Sequence, residues 1–233
     1  MSADAERDTI HLPATYGIYE YEGYRMIGDG DEEFFISNRN FEAIDSFFSQ
    51  GISKSICRLL DKSSDKKVRI LDLAGGIESQ ASKDIKEKFG DGVQAVNIDI
   101  AHNVQKGQGA DRAQGDATRL PIANSCVDII YSYQFLPFLR RFGSGHTAQI
   151  KKTLSETTRV LKPGGIAFLD DEEEFSGTKS EKKLKELSDE LGITIEAHES
   201  IYVKQESHLP KFWKKELRPA KFLIIKKPLS NQS

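Results

Sequence analysis

The sequence predicts an α/β fold in which a mostly parallel β-sheet is covered by helices on both faces. Short apolar runs typical of buried strands, the first at residues 68–73, alternate with segments whose apolar residues recur at helical spacing. This alternation continues to about residue 191. A turn of small residues, Ala74-Gly75-Gly76, joins the first run to the next helical segment. The length of 233 residues suits one large α/β domain, alone or with an extension.

The N-terminal part of the chain has a different character. Residues 1 to about 36 mix four tyrosines with acids and glycines, and we expect them to be irregular. Residues 38–60 follow a helical pattern that Asn40 can cap and that Gly51 can divide in two. A charged linker, residues 61–67, follows. We therefore predict a lid and helical extension over residues 1–60, a second domain over 61–228 and a tail over 229–233.

The second domain contains the regular alternation. Its patterns predict strands at residues 68–73, 93–99, near 112–115, 126–131 and 165–170, with helices at 79–89, 147–161 and 178–190. Two more strand-like runs, 194–203 and 221–226, end the chain. Such alternation favours a doubly wound parallel sheet.

The turn after residues 68–73 predicts a binding site. Small residues between a strand and a helix let the backbone approach a ligand closely, and the unpaired N–H groups of the next helix face it. Asp72 ends the first strand, and Asp99 lies 27 positions later at the end of the second. This spacing is close to that at which dinucleotide-binding folds place an acid for ribose hydroxyls. The pattern indicates a nucleotide-type cofactor site.

Four segments, taken in order, resemble the class I S-adenosylmethionine (SAM) dependent methyltransferases, of the methyltransferase type 11 kind. They are Leu71-Asp72-Leu73-Ala74-Gly75-Gly76, then Gly115-Asp116-Ala117, then Leu120-Pro121, and Arg159-Val160-Leu161-Lys162-Pro163-Gly164-Gly165. The resemblance covers roughly residues 50–228. It implies a Rossmann-like, mostly parallel seven-stranded sheet whose last pair of strands includes an antiparallel one. It also implies SAM as cofactor and methyl transfer as activity, and it makes residues 61–228 a SAM-binding methyltransferase domain.

The resemblance also implies cofactor-binding residues. It places Asp72, Ala74, Gly75 and Gly76 near the methionine and ribose part of SAM. Asp99 would bind the ribose hydroxyls, with Ile100 against the adenine. The remaining predicted contacts are the Asp116 carboxylate with the adenine amino group, the Ala117 backbone N–H with the adenine, and Tyr131 and Ser132 at the floor of the site. No catalytic residue and no metal site is predicted, since the five histidines have no metal-ligand spacing.

The first motif departs from the family at two of its three usual glycine positions, which here hold Ala74 and Glu78. Alanine is a mild change if its φ stays negative. Glu78 adds bulk and a negative charge at the methionine end of the site. It would repel the cofactor carboxylate and attract the ammonium group, or it would point away as an acid in the first turn of the helix. A third reading is that SAM binding has decayed.

Composition excludes several classes of protein. The formal net charge of −3 gives no overall signature of a polyanion-binding protein. No apolar run approaches membrane-spanning length, and the acidic N-terminus does not resemble a secretory signal. The two cysteines, Cys57 and Cys126, are too few for a disulfide framework. We therefore expect a soluble cytoplasmic protein.

Three functions remain open. The first is a methyltransferase acting on a small-molecule acceptor, which an N-terminal segment rich in tyrosine and phenylalanine would suit. The second is a non-catalytic or weakly SAM-binding module, favoured by Glu78. The third is an RNA methyltransferase using the basic segment 204–227, although no dedicated RNA-binding domain is visible and nucleic acid is not the expected partner. The acid run 170–174 is expected to be a solvated charge run rather than a cation site.

Overall fold

The computed structural model describes residues 19–21, 24–29, 32–37, 40–62, 67–76, 80–99, 111–133, 135–136, 146–170, 178–204 and 216–229. Ten strands lie in these ranges: β1 Tyr19–Tyr21, β2 Tyr24–Asp29, β3 Glu32–Ser37, β4 Val68–Leu73, β5 Val93–Asp99, β6 Asp111–Gln114, β7 Val127–Ser132, β8 Leu161–Asp170, β9 Thr194–Lys204 and β10 Glu216–Lys226. The helices are α1 Phe41–Phe47, α2 Gly51–Lys62, α3 Gln80–Phe89, α4 His146–Val160 and α5 Thr178–Leu191, with a single 3₁₀ turn at Gly90–Gly92.

A seven-stranded sheet forms the centre of the structure, in the order β6-β5-β4-β7-β8-β10-β9. The pairs from β6 to β8 are parallel, and β10 runs antiparallel to both β8 and β9. The strand order reverses at β4, because β5 and β6 extend to one side of it and β7 and β8 to the other. Ligands in open α/β sheets bind at such a reversal, beyond the carboxyl ends of the strands. The predicted doubly wound, mostly parallel sheet is confirmed.

Two cores cover the two faces of this sheet. On one face, buried residues of α4 and α5 such as Leu154 and Leu184 pack against Leu71, Ile130 and Leu169. On the other, α1, α2 and α3 bury Phe47, Ile56 and Ile85 against Ile70 and Phe168. The near-continuous apolar runs of the parallel strands follow from this double coverage. The helices of residues 41–62 thus share a core with the sheet.

The start of the N-terminal helical segment agrees with its sequence pattern. The Asn40 side chain accepts a hydrogen bond from the Ala43 N–H at 2.9 Å and so caps α1. The segment is divided just before Gly51, at Ser49 and Gln50, which both have positive φ. Among the described helices, none combines the length and the apolar character needed to cross a membrane.

Two expectations about local structure are wrong. Residues 19–21, 24–29 and 32–37 are not irregular, since β1, β2 and β3 form a separate antiparallel sheet. Short runs of aromatic and branched residues there favour strands, and the intervening acids and glycines hid their alternation. The second difference is that β8 begins at Leu161, not at residue 165. Leu161 pairs with Val127, and the register shifts before the next pair, so a bulge absorbs the Pro163-Gly164 turn within the strand.

Candidate functional site

The predicted site residues lie together at the carboxyl ends of neighbouring strands. Asp72 of β4 is in register with Asn97 of β5 on one side and with Tyr131 of β7 on the other. Asp99 ends β5 beside Gln114 of β6. Because parallel strands end at the same edge of the sheet, these side chains border one crevice.

The turn after β4 is hydrogen-bonded to the end of β5. The Ala74 N–H donates to the Ile98 carbonyl at 2.7 Å. The Gly75 N–H donates to the Asn97 side-chain oxygen at 3.1 Å, and the Gly76 N–H donates to an Asp99 carboxylate oxygen at 2.9 Å. The Asn97 amide nitrogen in turn donates to the Gly76 carbonyl at 2.6 Å. Three successive residues of the turn are therefore held by three successive residues of β5.

Backbone conformation explains part of the first motif and corrects one expectation. Ala74 has a φ of 62° and Gly76 a φ of 71°. The condition under which alanine would be a mild replacement is therefore not met, because Ala74 lies in the left-handed region at a cost of about 1 kcal/mol. Gly75 is required for a different reason. A Cβ at Gly75 would collide with the Asp72 carboxyl group.

Asp72 has a strongly shifted pKa. Burial, with a smaller contribution from the nearby Asp99, raises the pKa of its carboxyl group from the ordinary 3.8 to about 7. The Ser82 hydroxyl opposes this rise by donating to Asp72 at 3.3 Å. The Tyr131 hydroxyl also acts in this direction, although it makes no well-aligned hydrogen bond. A cation beside Asp72 would stabilise its charged form.

The carboxyl end of β7 carries two buried residues that the sequence places at the floor of the site. Tyr131 and Ser132 are both fully buried. Burial and the Asp72 carboxylate raise the pKa of Tyr131 well above its usual value, so the phenol stays neutral. The Ser132 hydroxyl is buried without a hydrogen-bond partner in the described part of the chain. The next aromatic residue, Tyr133, packs edge-on against Phe47 of α1 at 4.7 Å between ring centroids, as core packing requires.

The loop after β6 carries Asp116 and Ala117. The Asp116 carboxylate is exposed and accepts from the Thr118 N–H at 2.7 Å and from the Thr118 hydroxyl at 2.8 Å. Ala117 is buried against the core. The Gly115 N–H donates to the Asp99 carbonyl at 2.9 Å, which ties the start of this loop to β5.

An ion pair from α4 holds the same loop. Arg159 binds both carboxylate oxygens of Glu156, at 2.7 and 2.8 Å, and also the carbonyl groups of Leu120 and Ile122. Glu156 accepts from the Leu120 N–H at 2.7 Å. The hydrogen bond from Arg159 lowers the pKa of Glu156. The loop that follows Asp116 is thus fixed to a helix distant from it in sequence.

Other predicted features are only partly described. Ile100, Glu78, most of the acid run 170–174 and residues 205–215 lie outside the described residues. In the described part of the basic segment, Lys226 pairs with Glu196 at 2.8 Å and Lys221 with Glu199 at 3.5 Å, across β9 and β10. These lysines form a charged surface balanced by acids.

Sequence reasoning missed Asn97, Ser82 and the Arg159–Glu156 pair as parts of the site. Asn97 interrupts an apolar strand, and a polar residue inside such a run is a signal that could have been used. Ser82 and Glu156 gave no signal, because serine and glutamate are common on helices.

The residues present suit SAM. Its sulfonium and ammonium groups are cationic, and Asp72 and Asp99 supply two buried carboxyl groups in one crevice. Asp99 ends β5 at the position where dinucleotide-binding folds place an acid for ribose hydroxyls. Gly75 has no side chain to cover its backbone, and any larger residue there would collide with Asp72. When bound, SAM supplies an electrophilic methyl group.

The sheet order is that of the Rossmann-like fold found in SAM-dependent methyltransferases. Residues 71–169 match the family model described as "Methyltransferase domain". The chain therefore carries a class I SAM-dependent methyltransferase domain, and the cofactor of that class is SAM.

Individual proteins are similar to this chain over different lengths. A protein described as a sarcosine dimethylglycine methyltransferase from Galdieria sulphuraria superimposes with a TM-score of 0.51 at 15% identity, over 79% of this chain and 84% of that one. A SAM-dependent methyltransferase from Methanosarcina mazei gives a TM-score of 0.49 at 16% identity, over 74% and 98%. The biotin biosynthesis bifunctional protein BioHC of Cellvibrio japonicus is 34% identical over 84 residues, which are 34% of this chain. The match spans only 15% of that curated relative's length.

Proposed function

We propose that this protein transfers the methyl group of SAM to a small-molecule acceptor. The observation that carries the proposal is the turn Ala74–Gly76, held against β5 beside two buried carboxyl groups within the matched domain. Methyl transfer is a one-step displacement, so the protein's task is to hold the reacting atoms in line and to exclude water. A rigid turn and a buried floor serve both needs.

The binding roles follow from the position of each group. Asp99 accepts hydrogen bonds from the ribose hydroxyls, and its bond from the Gly76 N–H orients the carboxylate. Asp72 and the Ala74–Gly76 backbone face the methionine and ribose part. The Asp116 carboxylate and the Ala117 backbone N–H bind the adenine from the loop after β6, and the family resemblance assigns Ile100 to the adenine as well. Tyr131 and Ser132 form the floor below the methyl group.

The described charges favour a small acceptor over nucleic acid. Nucleic-acid binding rests on cations that neutralise phosphates. Here the described lysines of β10 are paired with glutamates of β9, and the whole chain has a net charge of −3. The N-terminal segment is rich in tyrosine and phenylalanine, which suits an apolar or aromatic acceptor.

Asp99→Ala should weaken binding of S-adenosylhomocysteine (SAH), the demethylated product of SAM, by about 1–3 kcal/mol. The substitution removes the ribose acceptor and leaves the Gly76 N–H without its partner. Asp99→Asn keeps one acceptor and should lose less. Titration calorimetry with SAH measures both. Glu199→Gln, on the exposed surface of β9, is the control and should bind SAH like the natural protein.

Transfer itself is tested with radiolabelled SAM. We expect label to appear in a small-molecule extract and not in total RNA or protein. Label in RNA would show that the acceptor is RNA and not a small molecule. Binding of SAH without transfer to any pool would favour a non-catalytic module, and absence of SAH binding would refute the proposed function altogether.

A further inference from the structure

Asn97 is the one fully buried amide within β5, and its side chain serves the turn that follows β4. Its relative exposure is 0%. Its oxygen accepts from the Gly75 N–H at 3.1 Å, while its nitrogen donates to the Gly76 carbonyl at 2.6 Å. One side chain therefore satisfies both a donor and an acceptor of the same turn.

An amide is the side chain that this arrangement requires. It offers an acceptor and a donor on the same short stem, so it can bind an N–H and a carbonyl group that lie side by side. Aspartate at this position could accept from Gly75 but could not donate to Gly76. Alanine could do neither, and it would leave both backbone groups buried without these partners.

The turn needs such support because it is strained. Ala74 has a φ of 62°, a region that disfavours residues with a Cβ, and a relaxed chain would return it to negative φ. Strained conformations persist where surrounding contacts over-determine them. The residues held by Asn97, Gly75 and Gly76, follow Ala74 directly, so the amide restrains the part of the turn that would otherwise move.

We propose that Asn97 is a positioning residue that holds the turn Ala74–Gly76 in its cofactor-binding conformation against the backbone strain at Ala74. The inference rests on the proposed function only in assigning this turn to SAM binding. Asn97 acts through the backbone of the turn, which brings the Gly76 N–H to Asp99 and keeps Asp99 in place for the ribose.

The experiment is a double-substitution cycle of Asn97→Ala and Ala74→Gly, with SAH affinity measured by calorimetry. We expect Asn97→Ala to weaken SAH binding about 10- to 100-fold. Ala74→Gly alone is the reference for the double variant, and any change it makes to SAH affinity should be smaller than the recovery expected below. In the double variant, glycine adopts positive φ without strain, so affinity should recover at least about fivefold relative to Asn97→Ala.

Amide hydrogen exchange without ligand provides the second measurement. In Asn97→Ala the Gly75 amide should exchange at least about tenfold faster than in the natural protein. In Asn97→Asp, which keeps the acceptor, the Gly75 amide should stay protected. A general loss of stability would speed exchange at many amides and not at Gly75 alone. If Asn97→Ala fails to fold, Asn97→Asp is the variant in which SAH affinity and Gly75 exchange are measured.

Thr157→Val is the matched control. Thr157 of α4 is also fully buried, and its hydroxyl has no hydrogen-bond partner within the described ranges. The substitution should leave SAH affinity and Gly75 exchange unchanged. The proposal is overturned if Asn97→Ala binds SAH within twofold of the natural protein, or if the double variant shows no recovery. If the natural protein binds no SAH, the proposed function fails, and exchange at Gly75 still decides the role of Asn97.

Discussion

Arg159→Ala should lower the free energy of unfolding by about 2–4 kcal/mol. The guanidinium group binds Glu156 through two nitrogens and also binds the carbonyl groups of Leu120 and Ile122 and the Asn124 side chain at 2.7 Å. Its removal leaves these acceptors without the guanidinium donor. One of them is the Glu156 carboxylate, whose side chain is only 17% exposed. Breaking a buried pair costs about 3–5 kcal/mol, and the partial exposure of Arg159 reduces that figure. Chemical denaturation measures the change, provided that the dependence of the unfolding free energy on denaturant concentration is the same in both proteins.

The same variant should also bind SAH more weakly, because Leu120 belongs to the loop that carries Asp116. Arg159→Lys keeps the charge but loses the forked geometry, so it should restore less than half of the lost stability. Lys226→Ala is the control, since it breaks an ion pair whose partners are 49% and 39% exposed. Exposed pairs contribute about 0.2–1 kcal/mol. An equal loss in Arg159→Ala and Lys226→Ala would contradict the role given to Arg159.

Asp72→Asn should stabilise the protein increasingly as pH rises. The pKa of Asp72 is about 7 in the folded protein, against an ordinary value of 3.8. The folded state therefore binds this proton more tightly than the unfolded state. The resulting stability is fully present below pH 3.8 and is lost as pH rises to about 7.

Asparagine imitates the protonated acid and removes this loss. At pH 5 the difference between Asp72→Asn and the natural protein should be smaller than at pH 8, because the loss begins above pH 3.8 and is complete only near pH 7. At pH 8 it should reach roughly 1–4 kcal/mol in favour of the variant, with the upper value corresponding to the whole shift at about 1.4 kcal/mol per pH unit. Unfolding free energies measured from pH 5 to 8.5 test this dependence.

Glu196→Gln is the control with the opposite sign. Hydrogen bonding from Lys226 lowers the pKa of Glu196, so its contribution is present near neutral pH and is lost in acid. Its side chain is 39% exposed, and the effect should stay below about 1 kcal/mol. A difference for Asp72→Asn that is constant across pH would show that Asp72 does not titrate in this range.

Much of the architecture could be predicted from the sequence because the relevant signals are local. The apolar runs and helical spacings locate β4, α3, β5, α4 and α5 to within one or two residues, since burial on both faces of a parallel sheet demands those patterns. The N-terminal strands were missed because short antiparallel strands are stabilised by their cross-strand partners. Tyr24, for example, pairs with Tyr21 on one side and Ser37 on the other.

The sequence by itself determined the class of fold and the acids at the strand ends. Chain order and periodicity suffice to place Asp72 and Asp99 at one edge of a parallel sheet, and the family resemblance adds Asp116. Only the tertiary structure decided how these groups behave. The pKa of Asp72 depends on its burial and on Asp99, and the role of Asn97 depends on β5 lying beside β4 in one register. The positive φ of Ala74 is likewise held by its hydrogen bond to β5. All three depend on tertiary structure, because desolvation and hydrogen bonding are set by neighbours in space and not by neighbours in sequence.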